Sequence, residues 1–302
     1  IRRQRQMCIR DSLTATPFAQ SETISGETQN LICTPAQFAA MLGSASSATY
    51  YLGQNITLST TIIAPAFSAA PFTGKLLGFE HIISNLNLNF PAGSTQALFA
   101  STNGAKIKNI TFNNAQYSIA SNASNSNSGI LIGTLGDSTE VRNVNFNNPS
   151  MTINCTSACN GFGIIAGSAN ASTNASSSEI SENVITNPIL SLGTGTGETG
   201  ALIGKVQNNI YVRSNKLSNV IIRSNLTEVI GPNIGGAIGS VAPSSAAMGS
   251  EVWGLDVNTN IDHSVNPIYV TTTSGNIGGA IGRIGTGAVS YTHLTLPTNR
   301  EV

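Results

Sequence analysis

The sequence predicts an all-β fold, a parallel β-helix in which the chain coils as a stack of similar rungs. Three observations carry this expectation. A glycine, three mostly small aliphatic residues and a second glycine recur five times, as Gly129-Ile-Leu-Ile-Gly133, Gly163-Ile-Ile-Ala-Gly167, Gly200-Ala-Leu-Ile-Gly204, Gly235-Gly-Ala-Ile-Gly239 and Gly278-Gly-Ala-Ile-Gly282. Their first glycines lie 34, 37, 35 and 43 residues apart, a period that belongs to stacked repeats. Between the boxes run Asn-rich segments, Ile107-Lys-Asn-Ile-Thr-Phe-Asn-Asn114, Val141-Arg-Asn-Val-Asn-Phe-Asn-Asn148 and Val252-Trp-Gly-Leu-Asp-Val-Asn258, with looser copies at Ile180 to Asn187 and Val212 to Asn219. Their apolar residues at the first, fourth and sixth places fit short strands and not the helical period.

Taken in chain order, residues 1–12 and 289–302 resemble translated sequencing-adapter DNA, so the chain is expected to be a fragment cut on both sides. No apolar run follows the basic start, as a signal peptide would require. Residues 13–30 are expected to be an exported N-terminal tail or the remnant of a signal peptide, with Ala19 in Leu13-Thr-Ala-Thr-Pro-Phe-Ala19 as the small residue before a cleavage point. Residues 31–93 should hold a capping helix and the first rungs. Thr34 is a capping residue, Pro35 suits the first helical position, and Phe38, Met41 and Leu42 share one face. Such a helix would cover the N-terminal end of the coil. Strands are expected in Tyr50 to Leu58 and Pro71 to Leu88.

Residues 94–288 carry the repeats, and Gln96-Ala-Leu-Phe-Ala100 has the form of a sixth box without its glycines. One rung is expected to contain a strand at the glycine box, a second at the Asn-rich segment and a third short one such as Met151 to Asn154 or Val220 to Arg223. The box glycines would permit sharp corners and close approach of the neighbouring rung. Asn113, Asn147, Asn187 and Asn219 would stack as a side-chain ladder in a turn, since Asn tolerates left-handed backbone.

From residue 31 to 288 the order of elements resembles that of bacterial surface proteins carrying the GLUG repeat: a short helix, Tyr50-Tyr-Leu-Gly-Gln-Asn-Ile-Thr-Leu58, Phe72-Thr-Gly74, Gly78, a strand from Ile82 to Leu88, then the five boxes. The resemblance implies a right-handed parallel β-helix of the kind found in adhesins, haemagglutinin-like exoproteins and the non-catalytic portions of IgA-directed metallopeptidases. Such peptidases need a zinc motif of two His around a Glu. These 302 residues contain no His-Glu-x-x-His, so the resemblance transfers no peptidase activity.

Charged residues make up 9% of the chain. With both ends set aside, nine cations face twelve acids, a net charge of about −3 that offers no basic stripe for nucleic acid or anionic lipid. No apolar run reaches the ~20 residues of a membrane span, so the GxxxG spacing is not a membrane-helix contact. Outside the ends the cysteines are Cys33, Cys155 and Cys159. Cys155 and Cys159 could close a small disulfide in an exported protein, and a metal site would need further ligands nearby.

Two nucleotide-like motifs fail on context. Gly195-Thr-Gly-Glu-Thr-Gly200 runs into a repeat box instead of opening a helix, and Gly200-Ala-Leu-Ile-Gly204-Lys205 has Val206 where a phosphate loop needs Ser or Thr. His81, beside Glu80, and His263 have no positioned nucleophile near them in sequence. Pectin-lyase-like enzymes build clefts on β-helices from paired carboxylates. Asp256 with Asp262 is the close aspartate pair, with Asp137 and Glu140 next, but the runs around them lack the polar and aromatic residues of a sugar cleft, and Trp253 is the single tryptophan. The sequence therefore favours a non-catalytic β-helical scaffold or adhesive segment of a larger secreted or cell-surface bacterial protein. A host-surface or glycan ligand would be met by loops such as Ser121 to Ser128 and Asn170 to Ser178. A polysaccharide lyase or glycoside hydrolase is the alternative. No catalytic residue, cofactor or metal is assigned.

Overall fold

A computed structural model describes residues 18–63 except 19 and 45, and 70–90, 97–119, 127–154, 159, 161–193, 197–224, 233–244, 249–258 and 276–285. The expected fold is present: the chain is a parallel β-helix. Its strands form four sheets of 13, 6, 6 and 5 described strands, here A, B, C and D, with D the smallest. One rung runs from Lys106–Asn113 in sheet A to Gln116–Ile119 in B, Ser128–Gly129 in D and Ile132–Leu135 in C, before Glu140–Asn147 begins the next turn in A. Rung-to-rung pairing is parallel in all four sheets, with Ile107 beside Val141, Tyr117 beside Met151, Gly129 beside Gly163 and Ile132 beside Ala166.

The N-terminal end is closed by two devices. Helix α1, Pro35–Leu42, begins at the capping residue expected from the sequence, and Gln37 completes a capping box with it: the Gln37 N–H donates to Thr34 Oγ1 at 3.2 Å while Gln37 Oε1 accepts from the Thr34 N–H at 3.0 Å. It buries Phe38 and Met41 in the coil's core. The second device is an antiparallel hairpin, Gln20–Ile24 with Glu27–Ile32, turned through Ser25 and Gly26 at φ +52° and +82°. Two positive-φ residues are what a two-residue hairpin turn requires. Residues 20–30, expected as part of a tail, are therefore the edge of sheet A, and Phe18 packs its ring 5.8 Å from that of Tyr50. Residues 1–12 and 289–302 lie outside the described residues.

Left-handed residues set the corners. Within sheet A the chain bends at Asn109, Asn143, Glu182, Ser214 and Gly254, and it leaves for sheet B at Asn85, Asn114, Asn148, Asn187 and Asn219, all with φ between +51° and +61°. The second column is the asparagine ladder: Asn148 donates to Asn114 at 3.4 Å, Asn187 to Asn148 at 2.8 Å and Asn219 to Asn187 at 2.7 Å. The expected ladder is thus corrected by one place in two rungs. Asn147 lies in the strand beside Thr186, bonding Asn113 at 2.8 Å, because Phe-Asn-Asn in these rungs aligns with Ile-Thr-Asn in the next.

The glycine boxes also differ from the expectation of one strand each. Every box is a tight wedge: a D strand enters, two residues turn at the tip, and a C strand leaves. Tip residues Ile130, Leu131, Ile164, Ile165, Ala201 and Leu202 are fully buried, so the wedge points into the core. Its two legs touch backbone to backbone. A Cβ on Gly163 would sit 2.7 Å from Ile203 Cα and 2.8 Å from Gly204 N, and one on Gly204 would sit 2.6 Å from Gly161 C. Face-packed sheets ordinarily stand ~10 Å apart, and only columns without side chains allow this closure. Of the sixth, glycine-free box, the described residues Ala97 to Ala100 occupy the same register, Phe99 pairing with Ile132.

The residues that fill the core change along the coil. From Ile130/Leu131 to Gly236/Ala237 the tip pairs become smaller, and over the same rungs an in-register column of sheet A runs Phe112, Phe146, Ile185, Leu217 and Val257. The two large rings stack at 4.8 Å and 14°, while a Cβ on Gly236 would already lie 3.4 Å from Val257 Cγ1. Gly204→Val and Gly239→Val should each lower unfolding stability by about 1–3 kcal/mol through backbone displacement. Gly43→Ala, with no atom within 4 Å of the new methyl, should stay within about 0.5 kcal/mol of the parent. Denaturant melts that rank the three alike would remove the role assigned to the wedge.

Candidate functional site

The carboxylates that could perform acid–base chemistry do not converge. Asp137, at the corner between sheets C and A, accepts the Ser172 N–H on Oδ1 at 2.5 Å and the Ser172 hydroxyl on Oδ2 at 2.7 Å. It thereby pins the 170–178 connection, which contains a short 3-10 turn at Asn174–Ser176. Glu140 is paired with Lys108 at 2.5 Å. Asp256 is exposed, 3.8 Å from Lys216 Nζ, and its sequence partner Asp262 lies outside the described residues, as does His263. His81 Nδ1 lies 3.3 Å from Asn55 Oδ1, which also accepts the Ile82 N–H at 3.0 Å. His81 follows Phe79 and Glu80, both at positive φ, where the register between neighbouring strands of sheet A shifts.

The nucleotide-like motifs dissolve into the rungs. Gly200 ends a D strand, Ile203–Val206 is a C strand, and Lys205 sits between Ser168 and Ser240 of the adjacent rungs. Among the described residues no three His, Cys, Asp or Glu side chains gather as a metal site, and no described helix is long and apolar enough to cross a membrane. Cys33 and Cys159 are both disulfide-bonded, whereas Cys155 lies outside the described residues. Of the loop from Ser121 to Ser128 only the last two residues are described.

What the rungs do bring together is a charged outer face on sheet A. Alternate residues of each strand point outward, and in register they form two columns. One holds Lys75, Lys106, Glu140, Glu179, Tyr211 and Glu251; the other holds Leu77, Lys108, Arg142, Ser181, Arg213 and Trp253. Ion pairs tie the rungs across this face: Lys75 with Glu27 at 2.8 Å, Arg142 with Glu182 at 2.7 Å, and Arg213 with Glu179 through two hydrogen bonds. Arg213 also lies 5.9 Å from the centres of both the Tyr211 and Trp253 rings. The Arg213 hydrogen bond holds the Glu179 carboxyl below its usual range, and the Lys75 ammonium does the same for Glu27. Sequence reasoning missed this face, although the signal was present: Glu140-Val-Arg142, Tyr211-Val-Arg213 and Glu251-Val-Trp253 share one alternation.

No protein family profile matches the chain, and no characterised protein matches it. Among solved structures it is similar to a candidate immunoglobulin A1 protease of Bacteroides ovatus, with a TM-score of 0.55 and 15% identity, over 89% of this chain and 87% of that one. At that identity the likeness bears on the fold alone.

The two depressed carboxylates fix the sign of an acid response. Folded, they ionise more readily than in the unfolded chain, so their stabilisation is complete above the ordinary value of 4.5 and is lost as pH falls through and below it. The unfolding temperature should therefore fall between pH 5 and about 3. Glu179→Gln should flatten that fall while lowering stability at pH 7; an unchanged pH profile would show that the pair contributes nothing.

Proposed function

We propose that this chain is a non-catalytic scaffold and adhesive segment of a larger bacterial secreted or cell-surface protein, built from GLUG-type repeats. The observation that carries the reading is the use to which its polar side chains are put. Asp137, Glu140, Glu179, Glu182 and the corner asparagines bond from one rung to the next instead of facing a shared cleft. Catalysis requires the opposite, a few groups held free and aimed at one reacting atom. Stiffness along the coil and a polar outer surface suit display and contact. The neighbour described as an immunoglobulin A1 protease is compatible with a secreted or surface setting; with no His-Glu-x-x-His in these residues, peptidase activity is not part of the proposal.

The purified chain should release no reducing ends or unsaturated products from acidic or neutral polysaccharides, with or without calcium. Alanine at Asp256, Asp262 and His81 together should leave binding to cells or to a glycan array intact. Turnover that disappears in Asp256→Ala would replace this reading with that of a β-helical lyase or hydrolase.

A further inference from the structure

The outer face of sheet A ends in a patch unlike the rest of the surface. Trp253, the only tryptophan of the chain, is 51% exposed, and its indole N–H makes no hydrogen bond among the described residues. Trp253 lies on the outer side of sheet A, in register with Arg213. In the rung before, Arg213 spans the space between the Trp253 and Tyr211 rings, 5.9 Å from each, while its Nε and one Nη are held by Glu179. Glu251, exposed and in register with Tyr211, closes the fourth corner.

The result is a patch of Tyr211, Arg213, Glu251 and Trp253 backed by Glu179. Neighbouring rungs stand ~4.8 Å apart and alternate residues ~6.7 Å apart. The exposed part of the Trp253 ring offers contact to the C–H groups of a pyranose ring. The free carboxylate of Glu251, the unused N–H groups of Arg213 and the indole N–H surround it with acceptors and donors for hydroxyls. Within reach are two carboxylates and one guanidinium, a net negative balance that repels uronic or sialic acids. A protein partner is a poor fit, because the other large exposed apolar side chains among the described residues, Ile63, Phe79, Ile221 and Ile284, lie on or next to other strands and do not extend this patch into an apolar interface core.

We infer that Tyr211, Arg213, Glu251 and Trp253 form a binding subsite for an uncharged saccharide. This rests on the adhesive reading and deepens it by naming the ligand class and the place. The single tryptophan makes the test direct. Titrating the full chain with β-1,4-linked glucose, β-1,4-linked N-acetylglucosamine and mannose oligomers should quench or blue-shift its emission saturably for at least one of them, and polygalacturonate should not. On a glycan array, Trp253→Ala and Glu251→Ala should each weaken that binding at least tenfold with unchanged unfolding temperature.

Array binding equal in both variants and parent would overturn the subsite and leave the adhesive reading standing. An array without signal for the parent, together with an unmoved emission, would overturn both. Binding confined to acidic glycans would overturn the assignment of an uncharged ligand.

Discussion

Everything in this coil depends on the backbone contact inside the glycine wedge. A closed rung of about 35 residues has more perimeter than its core can fill. Folding part of that perimeter inward, so that the D and C strands meet without side chains between them, places Ile130, Leu131 and their successors at the centre. The glycine columns are coupled between rungs: Gly163 lies against Gly204 and Gly235 against Gly282. At one tip the opposite wall is in direct reach, since a Cβ on Gly236 would lie 3.4 Å from Val257 Cγ1, and the column that carries Val257 holds Phe112 and Phe146 in earlier rungs.

Once the rungs are stacked, polar groups find their partners one rung away. Asn183, fully buried, accepts the Val144 N–H at 2.8 Å and donates to Asn215 at 2.9 Å, so the corner within sheet A is satisfied by a chain of amides. Thr102 and Thr139 meet at 3.1 Å where sheet C passes into A. The same economy governs the outer face, where each ion pair is shared by two rungs. Surface pairs of this exposure stabilise weakly one by one. Their larger effect is to fix register, because a slip by one residue would carry every charge into the core. The side chains of Trp253 and Glu251 make no such rung-to-rung hydrogen bond among the described residues.

The repeat, the helix with its capping residue and the parallel coil were legible because period, capping chemistry and apolar spacing are local signals. The wedge was not. A glycine carries no side-chain signal of its own, and Gly-x-x-x-Gly reads equally well as a strand. The asparagine ladder was legible in kind but displaced by one residue in two rungs, since Asn113 and Asn114 are both plausible corner residues and only pairing with Thr186 and Asn187 separates them. Corners at Glu182 and Ser214 lay hidden, because neither residue advertises a left-handed backbone. The aromatic and charged face was overlooked for a different reason. Its members alternate along each strand and come together only across rungs, so no single stretch of sequence contains them.

Amide hydrogen exchange along the coil tests the central role of the wedge most directly. If the wedge is the element on which the stack depends, the amides of Leu131, Ile165 and Leu202, bonded at 3.0, 3.0 and 2.8 Å to the next rung, should be among the slowest and should exchange together, at the rate set by global unfolding. Wedge amides that exchange as fast as those of the 170–178 connection, while sheet A stays protected, would show that the rungs hold together without the glycine contact.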